Sequence, residues 1–570
     1  MASGRTTRSD SSGGGGAAPA DPGPGRGPLR RAQASFGLMW TGESAFMVAL
    51  AVVAFRDGGL AAVGVVTAVR MVTAAAFTPF LAATADRVRR EVVLVTIGLV
   101  RSAALGGTAV VAAVGGPMAV TYGCAAVATV ALALYRPAHS ALLPALARSP
   151  RDLTGANAVR GMLDSVSALG GPLVAGALLA TSSAATVFAV GAVLSLLSGL
   201  AVLALPYDAP PRAAAVRAPV TRTLVQGLAT IAGNRDLALV TSLGVAQTLT
   251  RGALTVLTVV VALELLDTGE PGVGVLNAAV GAGGVLGSLG ALALVGRGRL
   301  ASWFGAGVAL FGLPLVLVGA VPVQVVALLA LALVGVGNAL VDVAGFTILA
   351  RRTDERVLAR MFAAFEAALM LGVAAGGLLA PLAVDTLGAR GSLVAVGLLA
   401  PVAVVLRHGA LRRLDNELRV RDADIEVLRA VPMLQALPAT TVEQLAADLE
   451  HTTHAPGATV VAQGEAGEEY FVVVSGRAEV VRDGRLVNVL ERGAGFGDVA
   501  LLADVPRTAT VRAGADGPLR LAALRRSAFL TAVTGYPASA VAGRRSVAET
   551  RSRDEQRDTA RGDRSPEATP

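Results

Sequence analysis

FGDVALLADVPRTATVRA, residues 496–513, decides how the C-terminal part of this chain folds. Gly497 opens a short apolar run, and Arg507 follows that run. Upstream, ATVVAQGEAGEEYFVVVSGRAEVVRDGRLVNVL (458–490) alternates short Val-rich segments with glycine-centred turns. Short β-branched runs bounded by glycine are typical of antiparallel hairpins. We therefore expect a small unit built mainly of β-strands here.

The preceding part of the chain has the composition of a membrane protein. Of 570 residues, 54% are hydrophobic and only 16% are charged, whereas soluble domains carry roughly a quarter charged residues. The single cysteine, Cys124, lies in an apolar run, which excludes an internal disulfide framework, and we predict no metal site. Runs of about 20 residues, which suffice to cross a bilayer, lie at 36–55, 59–83, 92–114, 118–135, 157–180, 183–205, 238–263, 271–295, 301–319, 323–349, 361–384 and 391–406. We expect an even number of spans, near twelve.

Arginines between these runs predict the orientation. With the N-terminus inside, the outer loops hold only Arg56 and Arg390. Arginine-rich loops stay on the cytoplasmic side, so we expect both termini in the cytoplasm and a multi-pass protein of the cell membrane, in contact with the lipid bilayer. The inner arginines are Arg87, Arg89, Arg90, Arg136, Arg148, Arg151, Arg212, Arg217, Arg222, Arg235, Arg297, Arg299, Arg351, Arg352, Arg356 and Arg360.

The two halves of the apolar region resemble each other. ALARSPRDLTGANAVRGM (145–162) is similar to LARRTDERVLARMF (349–362), and each leads into a span with paired glycines, Gly170–Gly171 and Gly376–Gly377. Parallel repeats of six spans build one known transporter architecture, with the substrate cavity at the repeat interface. We therefore predict two six-helix repeats.

On these features, residues 30–410 resemble the major facilitator superfamily of secondary transporters. ADRVRR (85–90) is similar to the family's Asp-Arg-x-Gly-Arg-Arg loop, although the glycine is missing. YRPAHSALLPALARSPRDLTGANAVRG (135–161) is similar to drug-exporter-like members. GGPLVAG (170–176) is similar to the antiporter signature, with Ala175 in place of a glycine. The resemblance implies an exporter, and the antiporter-like residues favour exchange of the substrate for an ion.

The basic loop after the second span is a candidate gate. Charge contacts made and broken at a helix junction can bias a transporter between its inward- and outward-facing states. The alternative is that this loop only fixes topology. The candidate gating residues are Asp86, Arg87, Arg89 and Arg90.

Charged residues inside spans are candidates for transport. Each costs about 2.5–3.5 kcal/mol at mid-membrane on insertion scales, so it faces a cavity or a partner. In the resembling family the first, fourth, seventh and tenth spans line the cavity, which implies substrate or proton handling for Glu43, Arg251, Asn338 and Asp342. For Arg70 and Arg101 we favour the alternative, structural pairing with a neighbouring carboxylate.

Residues 427–540 resemble the cyclic nucleotide-binding domain family. In that family a short helix inside a β-roll presents backbone N–H groups to the cyclic phosphate, an arginine pairs with it, and an acidic residue holds the ribose. A helix N-terminus and a guanidinium both suit an oxyanion. The positions that match this motif here are Gly497, Asp498, Val499, Ala500, Leu501, Arg507, Thr508 and Ala509.

Two of these positions leave open which cyclic nucleotide the domain binds. The family usually has glutamate where this chain has Asp498, and the carboxylate is set back by one C–C bond, about 1.5 Å. A hydroxyl such as Thr508 after the arginine is associated with cyclic GMP but is compatible with cyclic AMP. The alternative is a β-roll that has lost its ligand.

The resemblances define the expected organisation. We predict an all-α polytopic membrane bundle followed by a small cytosolic α+β domain with a β-roll. The expected boundaries are 1–33 for a disordered cytoplasmic tail, 34–407 for the major facilitator-type domain, 408–426 for a connecting helix, 427–540 for the cyclic nucleotide-binding domain and 541–570 for a polar tail. That tail is too short for the DNA-reading motif that follows such sensors in transcription regulators, so we expect no nucleic-acid partner.

The leading hypothesis is a secondary transporter, an exporter of a small molecule, regulated by intracellular cyclic AMP or cyclic GMP. The alternative is a membrane-anchored cyclic nucleotide sensor or scaffold that transports nothing. A nucleotide-gated channel fits poorly, because no Thr-Val-Gly-Tyr-Gly-like filter occurs. No catalytic residues, resident cofactor or enzyme activity are predicted.

Overall fold

The computed structural model describes residues 27–85, 88–146, 150–205, 220–294, 299–353, 355–435, 437, 439–536, 539–549 and 552. The chain divides into two compact units. The first unit comprises Met1–Ala291, Ala306–Val341 and Glu355–Val405. The second comprises Leu292–Gly305, Asp342–Asp354 and Leu406–Pro570.

Helices follow one another along the described part of the chain up to residue 406. They are α1 Gly27–Ala85, α2 Arg90–Val114, α3 Met118–Ala133, α4 Tyr135–Leu146, α5 Pro150–Thr181, α6 Ala184–Ala201, α7 Val220–Gly233, α8 Arg235–Val260, α9 Gly269–Leu294, α10 Leu300–Ala320, α11 Gln324–Arg351 and α12 Glu355–Leu406. One π-helical turn, Val261–Leu265, extends α8.

Within the described residues, ten helical segments are long and apolar enough to cross a membrane. Two of them, Gly27–Thr78 with 52 residues and Val357–Leu406 with 50, are twice as long as one span requires. Each contains a break, at Gly59 with φ 62° and at Gly388 with φ 71°. Because glycine adopts positive φ readily, each long segment divides into two spans, in agreement with a number near twelve.

The paired glycines of the two repeats make equivalent contacts. A Cβ added at Gly171 of α5 would lie 2.8 Å from the carbonyl oxygen of Thr41 on α1. A Cβ at Gly376 of α12 would lie 1.9 Å from the carbonyl oxygen of Leu249 on α8. The fifth span therefore packs against the first as the eleventh packs against the seventh. Small residues allow this approach of helix backbones.

A second pair of contacts follows the same symmetry. A Cβ at Gly98 of α2 would lie 2.8 Å from Cα of Gly199 on α6, at the crossing of the third and sixth spans. A Cβ at Gly312 of α10 would lie 2.4 Å from the carbonyl oxygen of Gly397 on α12, where the ninth and twelfth spans cross. The predicted fold of two six-helix repeats is confirmed.

Three helix limits differ from the boundaries read from the sequence. Helix α1 begins at Gly27, inside the range 1–33, because Arg31 donates to the terminal carbonyl oxygens of Ala201 and Leu203 beside α6. Helix α7 lies between the sixth and seventh apolar runs, where we predicted no span. The connecting helix runs past residue 426 to Ala430, because its last apolar residues pack into the core of the second unit.

The second unit contains helices around two antiparallel sheets. The helices are α13 His408–Ala430, α14 Pro432–Gln435, α15 Ala439–Ala447, α16 Asp498–Leu502 and α17 Arg526–Gly535. The strands are β1 Glu450–His454, β2 Thr459–Val461, β3 Glu469–Ser475, β4 Ala478–Arg482, β5 Arg485–Leu490, β6 Gly495–Phe496, β7 Thr510–Ala513 and β8 Leu519–Arg525.

Each sheet has four strands, in the orders β1-β8-β3-β6 and β2-β7-β4-β5. Strands from both sheets bury Phe471, Phe496 and Val511 in one cluster. The outer face of β3 contributes Tyr470 and Val472 to a second cluster with α13, α15, α16 and α17. The α+β domain predicted after the membrane bundle is confirmed, and α16 is held between strands and helices.

Candidate functional site

The turn between β6 and α16 forms the floor of the candidate site. Gly497 stands before α16 with φ 97°, and no side chain of the described residues caps the helix at this point. The first N–H groups of a helix have no intrahelical acceptors and suit an anion. Val499, Ala500 and Leu501 are buried, which fixes the direction of α16. The turn therefore offers backbone donors from a rigid position.

Arg507 is the buried cation of the site, only 6% exposed. Its Nη2 donates to the carbonyl oxygen of Glu469 over 2.7 Å, and its Nη1 donates to that of Gly497 over 3.5 Å. Its Nε has no hydrogen-bond partner within the described part of the chain. The guanidinium lies 5.7 Å from the ring centre of Phe471. Its described hydrogen-bond partners are neutral carbonyls, so an anion with two oxygens matches what the guanidinium still lacks.

The backbone around Arg507 is pinned to the neighbouring turn. The N–H of Arg507 donates to the oxygen of Glu465, and the N–H of Gly464 donates to the oxygen of Arg507, both over 2.8 Å. Burial lowers the pKa of Arg507 from its ordinary value, while Glu469, Glu465 and Glu468 act in the opposite direction. Arginine remains protonated in proteins even when its pKa is lowered in this way. The site thus holds a permanent positive charge.

The acidic residue of the motif is already engaged. Oδ2 of Asp498 accepts a hydrogen bond from Oγ of Ser546 over 2.7 Å. Ser546 lies on a helical segment over 539–549, called here the C-terminal helix. Thr508 is exposed and Ala509 is half-buried beside Arg507. Sequence reasoning did not find Ser546, because nothing local marks a serine as the partner of a residue 48 positions away.

The first unit contains a buried charge network on its first three spans. Nη2 of Arg70 lies 3.0 Å from Oε1 of Glu43, and Nη2 of Arg101 lies 2.7 Å from Oε2. Arg101 also donates to the oxygen of Ala128 over 2.7 Å, and Arg70 donates to Oγ1 of Thr129 over 2.6 Å. Both arginines are at most 2% exposed. The structural pairing that we favoured for these arginines is present, and one carboxylate serves both.

The other predicted cavity residues lie on α8 and α11. Arg251 is exposed on α8, and Asp342 is exposed on α11. Oδ1 of Asn338 accepts from Nε2 of Gln247 over 3.4 Å, and Gln247 is 3% exposed. Sequence reasoning missed Gln247, although its position four residues before Arg251 places both on one face of α8. A transport role for these residues and for Glu43 stays a prediction.

The candidate gating loop is only partly described. Asp86 and Arg87 lie outside the described residues. Arg89 forms an ion pair with Glu91 in the first turn of α2, and Arg90 begins that helix. Gating therefore also stays a prediction. Among the residues that the structure describes, no group of three His, Cys, Asp or Glu side chains is placed to hold a metal ion.

Family profiles match both parts of the chain. The profile of the Major Facilitator Superfamily matches residues 34–297, and that of the cyclic nucleotide-binding domain matches residues 452–536. The resemblance to both families that the sequence predicted is confirmed. The chain thus joins a part that matches the major facilitator profile to a part that matches the cyclic nucleotide-binding profile.

Curated relatives match the C-terminal part. A cAMP-dependent protein kinase regulatory subunit of Blastocladiella emersonii is 35% identical over 121 residues, which are 20% of this chain and 30% of that protein. The corresponding subunit of Yarrowia lipolytica is 40% identical over 104 residues, 18% of this chain and 27% of that protein. The matches thus span less than a third of these relatives.

One solved structure resembles the membrane part. The crystal structure of a mutant of the nucleoside transporter NupG has a TM-score of 0.57 and 13% identity. The alignment covers 68% of this chain and 99% of that chain. At this identity the likeness shows a shared fold and nothing about substrate.

Proposed function

We propose that this chain, a major facilitator-type membrane domain joined to a cyclic nucleotide-binding domain, is a secondary transporter whose activity is set by an intracellular cyclic nucleotide. The transported molecule is small and leaves the cell, at the expense of an ion gradient. Nucleotide bound more tightly in one conformation than in another shifts the transporter's equilibrium by that difference in affinity.

The observation that supports nucleotide binding is the set of contacts that Arg507 makes. A buried guanidinium bonded to neutral carbonyl groups, with an unpartnered Nε, lies beside the start of α16. A cyclic phosphate supplies one negative charge and two exocyclic oxygens to such a cation. The phosphate lies against Arg507 and the backbone of Gly497 and α16, and Asp498 receives the ribose hydroxyl once Ser546 has released it.

Cyclic AMP is the ligand that we propose. The relatives with 35–40% identity in this region are named as cAMP-dependent kinase subunits. Thr508 is exposed beside the site and is compatible with either base. Cyclic GMP is therefore the competitor against which cyclic AMP must be measured.

The proposal that the chain is a transporter rests on the polar groups inside the spans. A membrane anchor needs no buried network such as Glu43 with Arg70 and Arg101, since each buried charge disfavours insertion. Asn338 and Gln247 add a polar contact between α8 and α11. We assign substrate contacts to Arg251, Asn338 and Asp342, and proton coupling to Glu43.

Calorimetry tests the nucleotide half on the full chain in lipid nanodiscs. Cyclic AMP, cyclic GMP and 5′-AMP are titrated against the natural chain, Arg507→Gln and the control Arg512→Gln. Arg512 is an exposed arginine on β7 that pairs with Glu479. We expect Arg507→Gln to weaken cyclic AMP binding by about a hundredfold, because a buried charge partner is lost, and Arg512→Gln to leave it unchanged. Equal affinity in all three chains, or no binding of either cyclic nucleotide, would refute the assignment.

Flux measurements test the regulation. Inside-out vesicles that contain the chain are energised with a proton gradient, and ethidium uptake is followed with and without saturating cyclic AMP outside. We expect the nucleotide to change the rate, and we expect no change with Arg507→Gln. Equal rates under both conditions count against regulation.

A further inference from the structure

The last turn of α11 contains an arginine held by two other helices. Nη2 of Arg351 lies 2.6 Å from Oδ1 of Asp422 on α13. Nε of the same guanidinium lies 2.9 Å from Oε1 of Glu443 on α15. The Arg351 side chain is 17% exposed and that of Glu443 is 20% exposed. These three residues form the Arg351 cluster, and all of them belong to the second unit.

Helix α13 contacts the ends of two spans, and these contacts also lie in the second unit. Asp415 accepts from the N–H groups of Ala301 and Ser302, over 2.7 and 3.0 Å, and so caps the start of α10. Asp415 is 7% exposed. Glu417, two residues further on α13, pairs with Arg352. A buried carboxylate on a helix N-terminus is a stable contact, so α13 is fixed to α10 independently of Arg351.

Glu443 is the member of the Arg351 cluster that lies on α15. Its neighbours Val442 and Leu445 on α15 are buried in the cluster that also contains Leu501 of α16 and Leu428 of α13. Helix α16 contacts α17, and α17 contacts α15, so a shift of α16 reaches α15 through α17. Packed interfaces respond to such shifts by changing between discrete arrangements rather than by bending. The bond between Glu443 and Arg351 depends on the position of α15, whereas the contact of Asp415 joins α13 to α10 and does not involve α15.

We infer that the bond between Arg351 and Glu443 is the contact through which nucleotide occupancy at α16 reaches α11. This rests on the proposed function. The bond belongs to the arrangement in which Asp498 is held by Ser546 and is closed to a ribose. Nucleotide binding releases Asp498, repacks α16 and α15, and breaks the bond to Glu443. Arg351 keeps Asp422, and this guanidinium at the end of α11, the helix of Asn338, loses one of its two carboxylate partners.

Linkage gives this inference a test that needs no transport substrate. If nucleotide binding breaks the bond, the free energy of the bond opposes nucleotide binding. Removing the bond must then tighten nucleotide binding by the factor that corresponds to this free energy. Cyclic AMP is titrated by calorimetry into the full chain in nanodiscs, as the natural chain, Arg351→Gln, Glu443→Gln and the double variant. The control is Arg419→Gln, an exposed arginine of α13 outside the cluster.

We expect each single variant to lower the Kd for cyclic AMP by about fivefold, at the low end of typical coupling because the pair is partly exposed. The double variant should bind cyclic AMP no more tightly than either single variant, since each single variant already removes the same bond. Should Arg351→Gln fold poorly, Glu443→Gln carries the test, because Arg351 then retains Asp422. A Kd within twofold of the natural chain, or a raised Kd, in Glu443→Gln overturns the inference.

The outcome also separates the two proposals. A natural chain that binds neither cyclic AMP nor cyclic GMP defeats the proposed function and this inference with it. A natural chain that binds cyclic AMP with an affinity indifferent to Glu443→Gln defeats the inference alone.

Discussion

Gly497 and Arg507 are so close that a side chain at the first would displace the second. A Cβ added at Gly497 would lie 2.4 Å from Nη1 of Arg507 and 3.1 Å from the carbonyl oxygen of Glu469. The φ of Gly497 is 97°, which L side chains rarely adopt. Glycine is therefore required for two reasons: the turn needs its positive φ, and the guanidinium leaves no space for a side chain.

Gly497→Ala should weaken cyclic AMP binding by about tenfold or more, because backbone strain of about 1–3 kcal/mol and a displaced Arg507 both act on the site. Calorimetry on the full chain in nanodiscs measures the change. Gly517→Ala is the matched control, since its Cβ would meet no atom within 4 Å. Unaltered affinity in Gly497→Ala would show that Arg507 does not hold the phosphate.

Ser546→Ala should tighten cyclic AMP binding by about threefold, because the ribose hydroxyl no longer has to displace the serine hydroxyl from a charged carboxylate, while water replaces part of the lost bond. The bond that is lost is the one from Ser546 to Oδ2 of Asp498. Ser527→Ala, an exposed serine of α17, serves as the control. Weaker binding in Ser546→Ala would mean that the C-terminal helix assists the ligand instead of competing with it.

Glu43→Gln should destabilise the membrane part by about 3–5 kcal/mol, because two buried arginines lose their shared carboxylate. Thermal unfolding of the detergent-solubilised chain measures the loss as a fall in Tm. Glu264→Gln, at an exposed position, is the control. The double variant Glu43→Gln with Arg101→Met should regain part of the loss, since it removes one of the two positive charges. A Tm equal to that of the natural chain would exclude the network as a source of stability.

Asp424 predicts a pH dependence in the second unit. Burial raises the pKa of Asp424 above its ordinary value, while His451, with Nε2 at 3.0 Å, and Arg421 act against the shift. An acid with a raised pKa stabilises the fold below its unfolded pKa, and this contribution is lost as the pH rises through the folded pKa. At neutral pH the ionised Asp424 therefore lowers stability.

Asp424→Asn should raise the Tm of the second unit by a few degrees at pH 7.5, and the gain should shrink as the pH falls through the raised folded pKa of Asp424 towards the pKa of an unfolded aspartate, about 3.9. Differential scanning fluorimetry across this range measures it. Asp448→Asn, on the surface, should show no such trend. A gain that grows on acidification would contradict the sign of the shift.

Local pattern predicted the elements well and their contacts poorly. The apolar runs predicted the spans because a bilayer demands length and hydrophobicity. The motif around Arg507 predicted a candidate nucleotide site because its residues lie within a few positions of one another, and that assignment stays a prediction. Ser546 with Asp498 and Arg351 with Glu443 are separated by 48 and 92 residues, and only the packing of helices brings them together. Helix α7 was missed because its stretch lacks the apolar length of a span.

The order of residues in the charge network has a consequence for biogenesis. Glu43 precedes Arg70 and Arg101 in the chain, and its carboxylate pairs with both. Ribosomes deliver the N-terminus first, so the counter-ion reaches the bilayer before either guanidinium. We therefore expect each arginine to enter the membrane after the carboxylate with which it pairs. A circular permutant that translates the first span last would reverse this sequence of events and send two uncompensated arginines into the membrane.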